Sequence, residues 1–114
     1  MALVVECYEA TRTFPIDQRL GLVSQIQRAS VSVPANIAEG SARGSRADTR
    51  RFYTISMGSL MELDTLVILA GSLGFISPVR NADLRSRIVH LSKLINGLIR
   101  YQSQPREIVR QDGR

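Results

Sequence analysis

Apolar residues in this chain recur every three to four positions over most of its length, and runs that alternate one for one are short. The pattern therefore predicts helices nearly throughout. The lone Asn-Gly, at 96–97, falls inside a helical pattern rather than between two β-rich stretches, so no hairpin is expected. A first helix is predicted over residues 2–12, with Leu3, Val4, Cys7 and Tyr8 on one side. It ends before Phe14-Pro15, because the residue preceding a proline is pushed out of helical geometry. Asp17 is placed to cap a second helix over 18–42.

That second helix carries two apolar stripes. Leu22, Ile26, Ala29, Val33 and Ile37 form one; Val31, Ala35, Ala38 and Ala42 form the other. A helix apolar on two sides is expected to be covered on two sides. Pro34 lies inside the pattern, where it removes a backbone hydrogen bond and bends the helix or splits it. Gly44 suits a left-handed C-cap and Ser45 the next N-cap.

The third and longest helix is predicted over 46–73. Phe52, Ile55, Ser59, Leu63, Leu66, Ala70 and Leu73 line one face, which Met57, Leu60, Val67 and Ile68 widen; Gly74 stops it. After the turn at Ser77-Pro78, a fourth helix over 82–102 places Leu84, Ile88, Leu91, Ile95 and Leu98 in a narrow seam. Residues 103–114 are a polar, flexible tail.

The fold class is all-α. Short loops make neighbouring helices antiparallel, so residues 1–102 are expected to form an up-down-up-down four-helix bundle. At 1.5 Å per residue, helix three should run to about 42 Å and helix one to only about 17 Å. The short helix cannot cover its partners. Either a second copy of the chain buries the free apolar surface, in a self-associated homo-oligomer, or the upstream part of helix one is missing.

Composition narrows the partners. The chain of 114 residues is one domain, and with 5% aromatic residues and no Trp its core must be aliphatic. Fourteen of its fifteen basic residues are Arg, and the net charge of +5 suits an acidic partner such as nucleic acid or an anionic membrane surface. The same charge also serves plain solubility. Cys7 is the only cysteine, which excludes an intrachain disulfide and a cysteine zinc site and leaves it as a small core hydrophobe. No uninterrupted apolar run approaches the roughly 20 residues of a membrane span and no leader pattern opens the chain, so a cytoplasmic location is expected.

Catalytic chemistry finds little to work with. Asn36 and Glu39 sit one helical turn apart, with Glu62 at a comparable position on helix three. Two glutamates on facing helices resemble a di-iron site, but such sites need Glu-x-x-His on two helices, and Glu62 is followed by Thr65. Asn36, Glu39 and Glu62 are instead expected to form a polar core that fixes helix register near Pro34. His90, alone on helix four, has no carboxylate one turn away, and no phosphate-binding glycine loop is present. No enzyme, metal or cofactor is expected.

The arginines are the remaining candidates for a working surface. Arg43, Arg46, Arg50 and Arg51 crowd the junction of helices two and three, offset by Asp48 alone. Arg100, Arg106, Arg110 and Arg114 follow helix four into the tail. In an up-down-up-down bundle both sets lie at one end. There they form a positive collar that grips phosphates, or a solvated helix end whose arginines pair with Asp48, Glu107 and Asp112.

Several of these segments together resemble a known family. Phe14-Pro15, Gly21-Leu22 with Gln25, Arg28-Ala29 and the NIAEG run at 36–40 are followed by Arg43, Phe52, the GSLxEL run at 58–63 and Leu73-Gly74. Over residues 3–102 the chain resembles the bacterial 23S rRNA intervening-sequence proteins, also called four-helix bundle proteins. The resemblance implies a ring-like homo-oligomer, a pentamer, and a role in binding RNA. The family is similar in turn to the accessory protein of diversity-generating retroelements, a basic pentamer that binds a reverse transcriptase and nucleic acid. That implies an alternative role as a protein-interaction adaptor. Members usually begin about ten residues further upstream, so helix one is expected to be truncated or its start codon misassigned.

Overall fold

A computed structural model of the chain describes residues 2–104. These residues are helical, without strands: α1 (Ala2–Thr11), α2 (Ser24–Ser41), α3 (Arg46–Ser72) and α4 (Pro78–Ser103). They form a rod of 62 × 24 × 18 Å. α3 packs against α2 on one side and α4 on the other, and α1 lies against α2 and α4.

The core is aliphatic. Cys7 of α1, Ile26 and Val33 of α2, Leu60, Leu63, Val67 and Ala70 of α3, and Leu84, Ile88 and Ile95 of α4 are its most enclosed members. Removing such side chains from water, at about 1.5–3 kcal/mol each, is the main force holding the helices together. Ion pairs join them at the surface: Arg85 of α4 grips both oxygens of Asp64 at 2.9 and 3.2 Å, and Arg87 reaches Glu6 of α1 at 3.1 Å.

Boundaries depart from the periodicity at two places. Asp17 caps nothing; residues Ile16–Gln18 form a 3₁₀ turn and Arg19–Val23 a π turn, with Gly21 outside helical geometry (φ −102°, ψ −105°). α4 starts four residues early, at Pro78, because a proline in the first turn forfeits no intrahelical bond. The Ser77 hydroxyl caps it, accepting from the Arg80 N–H at 3.2 Å. Pro34 sits within a continuous α2 and does not split it.

Gly44 is not left-handed; Gly74 alone among the described residues takes a positive φ, of 79°. There the Phe75 N–H donates to the Ala70 carbonyl at 2.9 Å and the Gly74 N–H to that of Gly71 at 3.1 Å, a Schellman stop for α3.

The polar interior also differs from the expected one. Glu39 and Glu62 are both exposed, and Asn36 is half-buried, donating to the Ser32 carbonyl and hydroxyl at 2.9 and 3.0 Å. The enclosed polar groups are hydroxyls instead, Ser30 and Ser56 above all. A hydroxyl bonded to a backbone carbonyl is cheap to bury, whereas a carboxylate without a cation is not. Asn36, Glu39 and Glu62 therefore do not form a polar core.

Several apolar faces stay open. The second stripe of α2, from Val31 to Ala42, faces water, as do Ile55 and Leu73, which periodicity assigns to the core. α1 meets α4 along Arg80–Arg87, through Glu9 and Glu6. Past that stretch Leu94, Leu98 and Tyr101 of α4 are exposed, Leu98 contrary to its expected seat in the seam. By length and composition α3 would pass as a membrane span, but its buried residues are the centre of the bundle.

Candidate nucleic-acid interface

The turn between α2 and α3 is built from backbone and hydroxyl groups. The Arg43 N–H donates to the Gly40 carbonyl at 3.1 Å, and the buried Thr49 hydroxyl donates to that same carbonyl at 2.8 Å. Thr49 thus ties the first turns of α3 to the last turn of α2. Gly40 suits this close approach: a Cβ would lie 3.0 Å from Phe52 Cβ and from the ring of Tyr53, tighter than an ordinary contact. The Tyr53 hydroxyl shares a 2.8 Å hydrogen bond with that of Ser41. Ser45 caps α3 by accepting from the Asp48 N–H at 3.1 Å.

This scaffold holds the arginines in distinct settings. Arg43 pairs with Glu39 and lies 4.6 Å over the Phe52 ring; Arg51 lies 4.5 Å over the same ring and reaches Asp48 at 3.8 Å. Arg46 sits 5.1 Å over the Tyr101 ring and donates to the Gln104 carbonyl at 2.7 Å. Those contacts bring the start of α3 to the end of α4, where Arg100 is exposed in the last turn. Arg50 is exposed and takes no part in an ion pair or ring stack among the described residues. Arg106 and Arg110, like Arg114, lie outside the described residues.

Arg43, Arg46, Arg50 and Arg51 therefore gather at one end of the rod around the carboxylates of Glu39 and Asp48, and the last turn of α4, which carries Arg100, ends beside them. A shallow cavity of about 370 Å³ lies between the α2–α3 turn and α4, lined among others by Arg43, Arg46, Tyr53 and Tyr101. Both ion pairs are solvent-exposed. Such pairs are worth at most about 1 kcal/mol each, so a phosphate can displace the carboxylate.

Chemistry beyond charge is sparse. Glu39 and Glu62 are held on the surface of different helices, and no group of three His, Cys, Asp or Glu side chains among the described residues is placed to hold a metal ion. His90 is exposed. Burial, and secondarily the charge of Glu6, pushes the Cys7 thiol up to about 11, which keeps it protonated and unreactive.

Periodicity assigns Phe52 to the core-facing side of helix three and passes over Tyr101, whereas Phe52 is half-buried and both rings are platforms on which arginines lie. A signal exists for Phe52, which directly follows Arg51, but not for Tyr101, whose arginine, Arg46, lies on a different helix.

The fold is shared with a solved structure, that of a protein of unknown function from the S23 ribosomal protein family of Bacteroides thetaiotaomicron. The two align with a TM-score of 0.73 over 84% of this chain and 87% of that one, at 21% identity. No curated protein matches the chain. The model of the 23S rRNA-intervening sequence proteins matches residues 1–97, from α1 through most of α4, and the chain belongs to that family.

Proposed function

We propose that this protein is a non-enzymatic, basic helical bundle that binds RNA, or nucleic acid more generally, through arginine–phosphate contacts at the α2–α3 end. The observation that carries this reading is the meeting of Arg46 with Tyr101 and Gln104, which brings the end of α4, where Arg100 lies, to the arginines of the junction. The family's description, tied to intervening sequences of 23S rRNA, points the same way.

The bundle is antiparallel, up-down-up-down. Phe14 and Phe75, with ring centres 5.4 Å apart, bring the α1–α2 and α3–α4 connections to one end, and the Arg46–Tyr101 contact marks the other. It self-associates into a ring-like homo-oligomer, a pentamer, in which the open faces of α2, α3 and α4 are buried and each collar adds to its neighbours'. This cytoplasmic assembly needs no cofactor.

Arginines that contact phosphates give binding that weakens steeply with salt and discriminates little between sequences. The test is fluorescence anisotropy with labelled structured RNA, duplex DNA and single strands across a salt series. Arg46/Arg50/Arg51→Ala should weaken binding and flatten the salt dependence; no binding at low salt would refute the reading.

A second reading rests on the same open apolar residues, Val31, Leu94 and Leu98 among them. They would serve an adaptor that docks on a protein such as a reverse transcriptase, with incidental nucleic-acid affinity. A monomer in solution that captures such a partner without nucleic acid would favour it.

A further inference from the structure

A second basic site lies at the opposite end of the rod. The turn between α1 and α2 borders a half-open cavity of about 550 Å³, and Arg12, Arg19 and Arg28 all line it. No carboxylate lines it, and none of the three arginines is ion-paired among the described residues. The collar is the reverse case, with Glu39 and Asp48 set among its arginines. The unneutralised cleft is thus here, not at the α2–α3 turn.

Its walls are apolar as well as charged. Phe14, Pro15 and Val23 form part of them, and Leu20 and Ile16 at the rim are 93% and 80% exposed. Leu20 is the most exposed large hydrophobic side chain of the described residues. The π turn over Arg19–Val23 holds Arg19 and Leu20 over the cavity, and such turns often mark functional sites.

The cavity also offers oriented polar groups. Gln27 Nε2 donates to the Thr11 hydroxyl at 3.2 Å, and that hydroxyl is fixed by the Cys7 and Tyr8 carbonyls, each at 3.0 Å. The Gln27 amide is thereby locked with its carbonyl oxygen free to accept. Ser24 adds a hydroxyl.

We propose that this cavity binds a nucleoside phosphate, either a free nucleotide or the phosphorylated end of a strand. Three guanidiniums suit a phosphate dianion, since each presents a planar fork of donors to its oxygens. A bare anion would leave Leu20 and Ile16 in water, whereas a flat base laid over them removes that surface from solvent. Gln27 can accept from the base edge. The volume falls within the range of small-ligand sites, roughly 300–1,000 Å³. The proposal is independent of the collar.

The test is calorimetric titration of the full chain with the four nucleoside 5′-monophosphates, adenosine and inorganic phosphate, with hydrogen–deuterium exchange to place the ligand. The expected result is at least tenfold tighter binding of one or more monophosphates than of adenosine or phosphate, with protection of residues 16–28. Arg19→Ala/Arg28→Ala should lose about tenfold in affinity. Leu20→Ser should weaken the nucleotide and leave inorganic phosphate unchanged. Arg46/Arg50/Arg51→Ala should bind nucleotide normally, which separates this site from the collar.

Competition by a 5′-phosphorylated hexanucleotide, and not by its 5′-hydroxyl form, would identify a strand end as the ligand; no competition would identify the free nucleotide. The proposal is overturned if nucleotide binds no better than phosphate, if residues 16–28 gain no protection, or if the double arginine variant, with unchanged helicity by circular dichroism, binds as tightly as the parent. Tighter binding of a peptide with a free carboxyl end would overturn it as well.

Discussion

The Ser56 hydroxyl donates to the Val33 carbonyl at 2.8 Å, in a contact from which water is wholly excluded. It joins the middle of α3 to α2 one residue before Pro34. Ser56→Ala removes the donor without adding bulk, and a buried hydrogen bond of this kind is worth about 1 kcal/mol. The urea midpoint should fall correspondingly with an unchanged m-value, because the bond's loss does not alter the surface exposed on unfolding. An unaltered midpoint would show that the bond contributes nothing net.

Gly71 and Asn81 set the approach of α3 and α4 near their shared turn. A Cβ at Gly71 would lie 2.5 Å from Asn81 Nδ2, and Asn81 cannot swing away without losing its 2.7 Å bond to the Val67 carbonyl. Gly71→Ala should cost about 2 kcal/mol despite the better helix propensity of alanine. Asn81→Ala in that background should recover part of the loss, a coupling that a double-mutant cycle reads directly.

Cys7 makes the stability sensitive to alkaline pH. Its folded thiol is pushed up to about 11, from 9.0 without burial, so the unfolded chain ionises first. Between those values the unfolded state holds fewer protons than the folded one, and stability falls as pH rises. The contribution is fully present below pH 9 and lost as pH climbs through about 11. Relative to Cys7→Ala, the parent should lose about 2 kcal/mol across that window in urea titrations. Parallel curves for the two proteins would contradict the buried, protonated thiol.

The helices themselves are legible in the chain because one face of each repeats at the helical period and Ser45 and Gly74 punctuate it. What the period cannot show is which of two apolar stripes faces inward. On α2, Ile26, Ala29 and Val33 win because they meet α1 and α3, while Val31 and Ala35 stay in water. The same ambiguity misplaces Glu39 and Glu62, whose positions relative to the core depend on helix rotation. The π turn at Arg19–Val23 is illegible for another reason: its wider backbone spacing leaves no period of its own over five residues. The arginine cleft it helps to form is consequently scattered in sequence, from Arg12 to Arg28.

The open apolar residues predict their own consequence. If a neighbouring copy covers the exposed part of α4, Leu98→Glu, on a side chain 40% exposed in the single chain, should break the assembly with little loss of helicity. Sedimentation velocity would then show a smaller species than the parent. A parent that sediments as a monomer would end the ring hypothesis outright.

The collar's arginines are unequal, and this ranks their effect on nucleic acid. Arg50 is unpaired among the described residues, whereas Arg43 is engaged by Glu39 and Arg51 by Asp48. A phosphate must compete with those carboxylates, so neutralising one should strengthen binding. Glu39→Gln is expected to raise RNA affinity severalfold at low salt, and Arg50→Ala to lower it and reduce the slope of log K against log salt by about 1. Arg46→Ala should do more, because it also releases Tyr101 and the Gln104 carbonyl at the end of α4. Anisotropy titrations of the three variants from low to moderate salt separate these effects. If Glu39→Gln left both affinity and slope unchanged, Arg43 would be excluded from the binding surface, and the phosphate contacts would have to lie with Arg46, Arg50, Arg51 and Arg100.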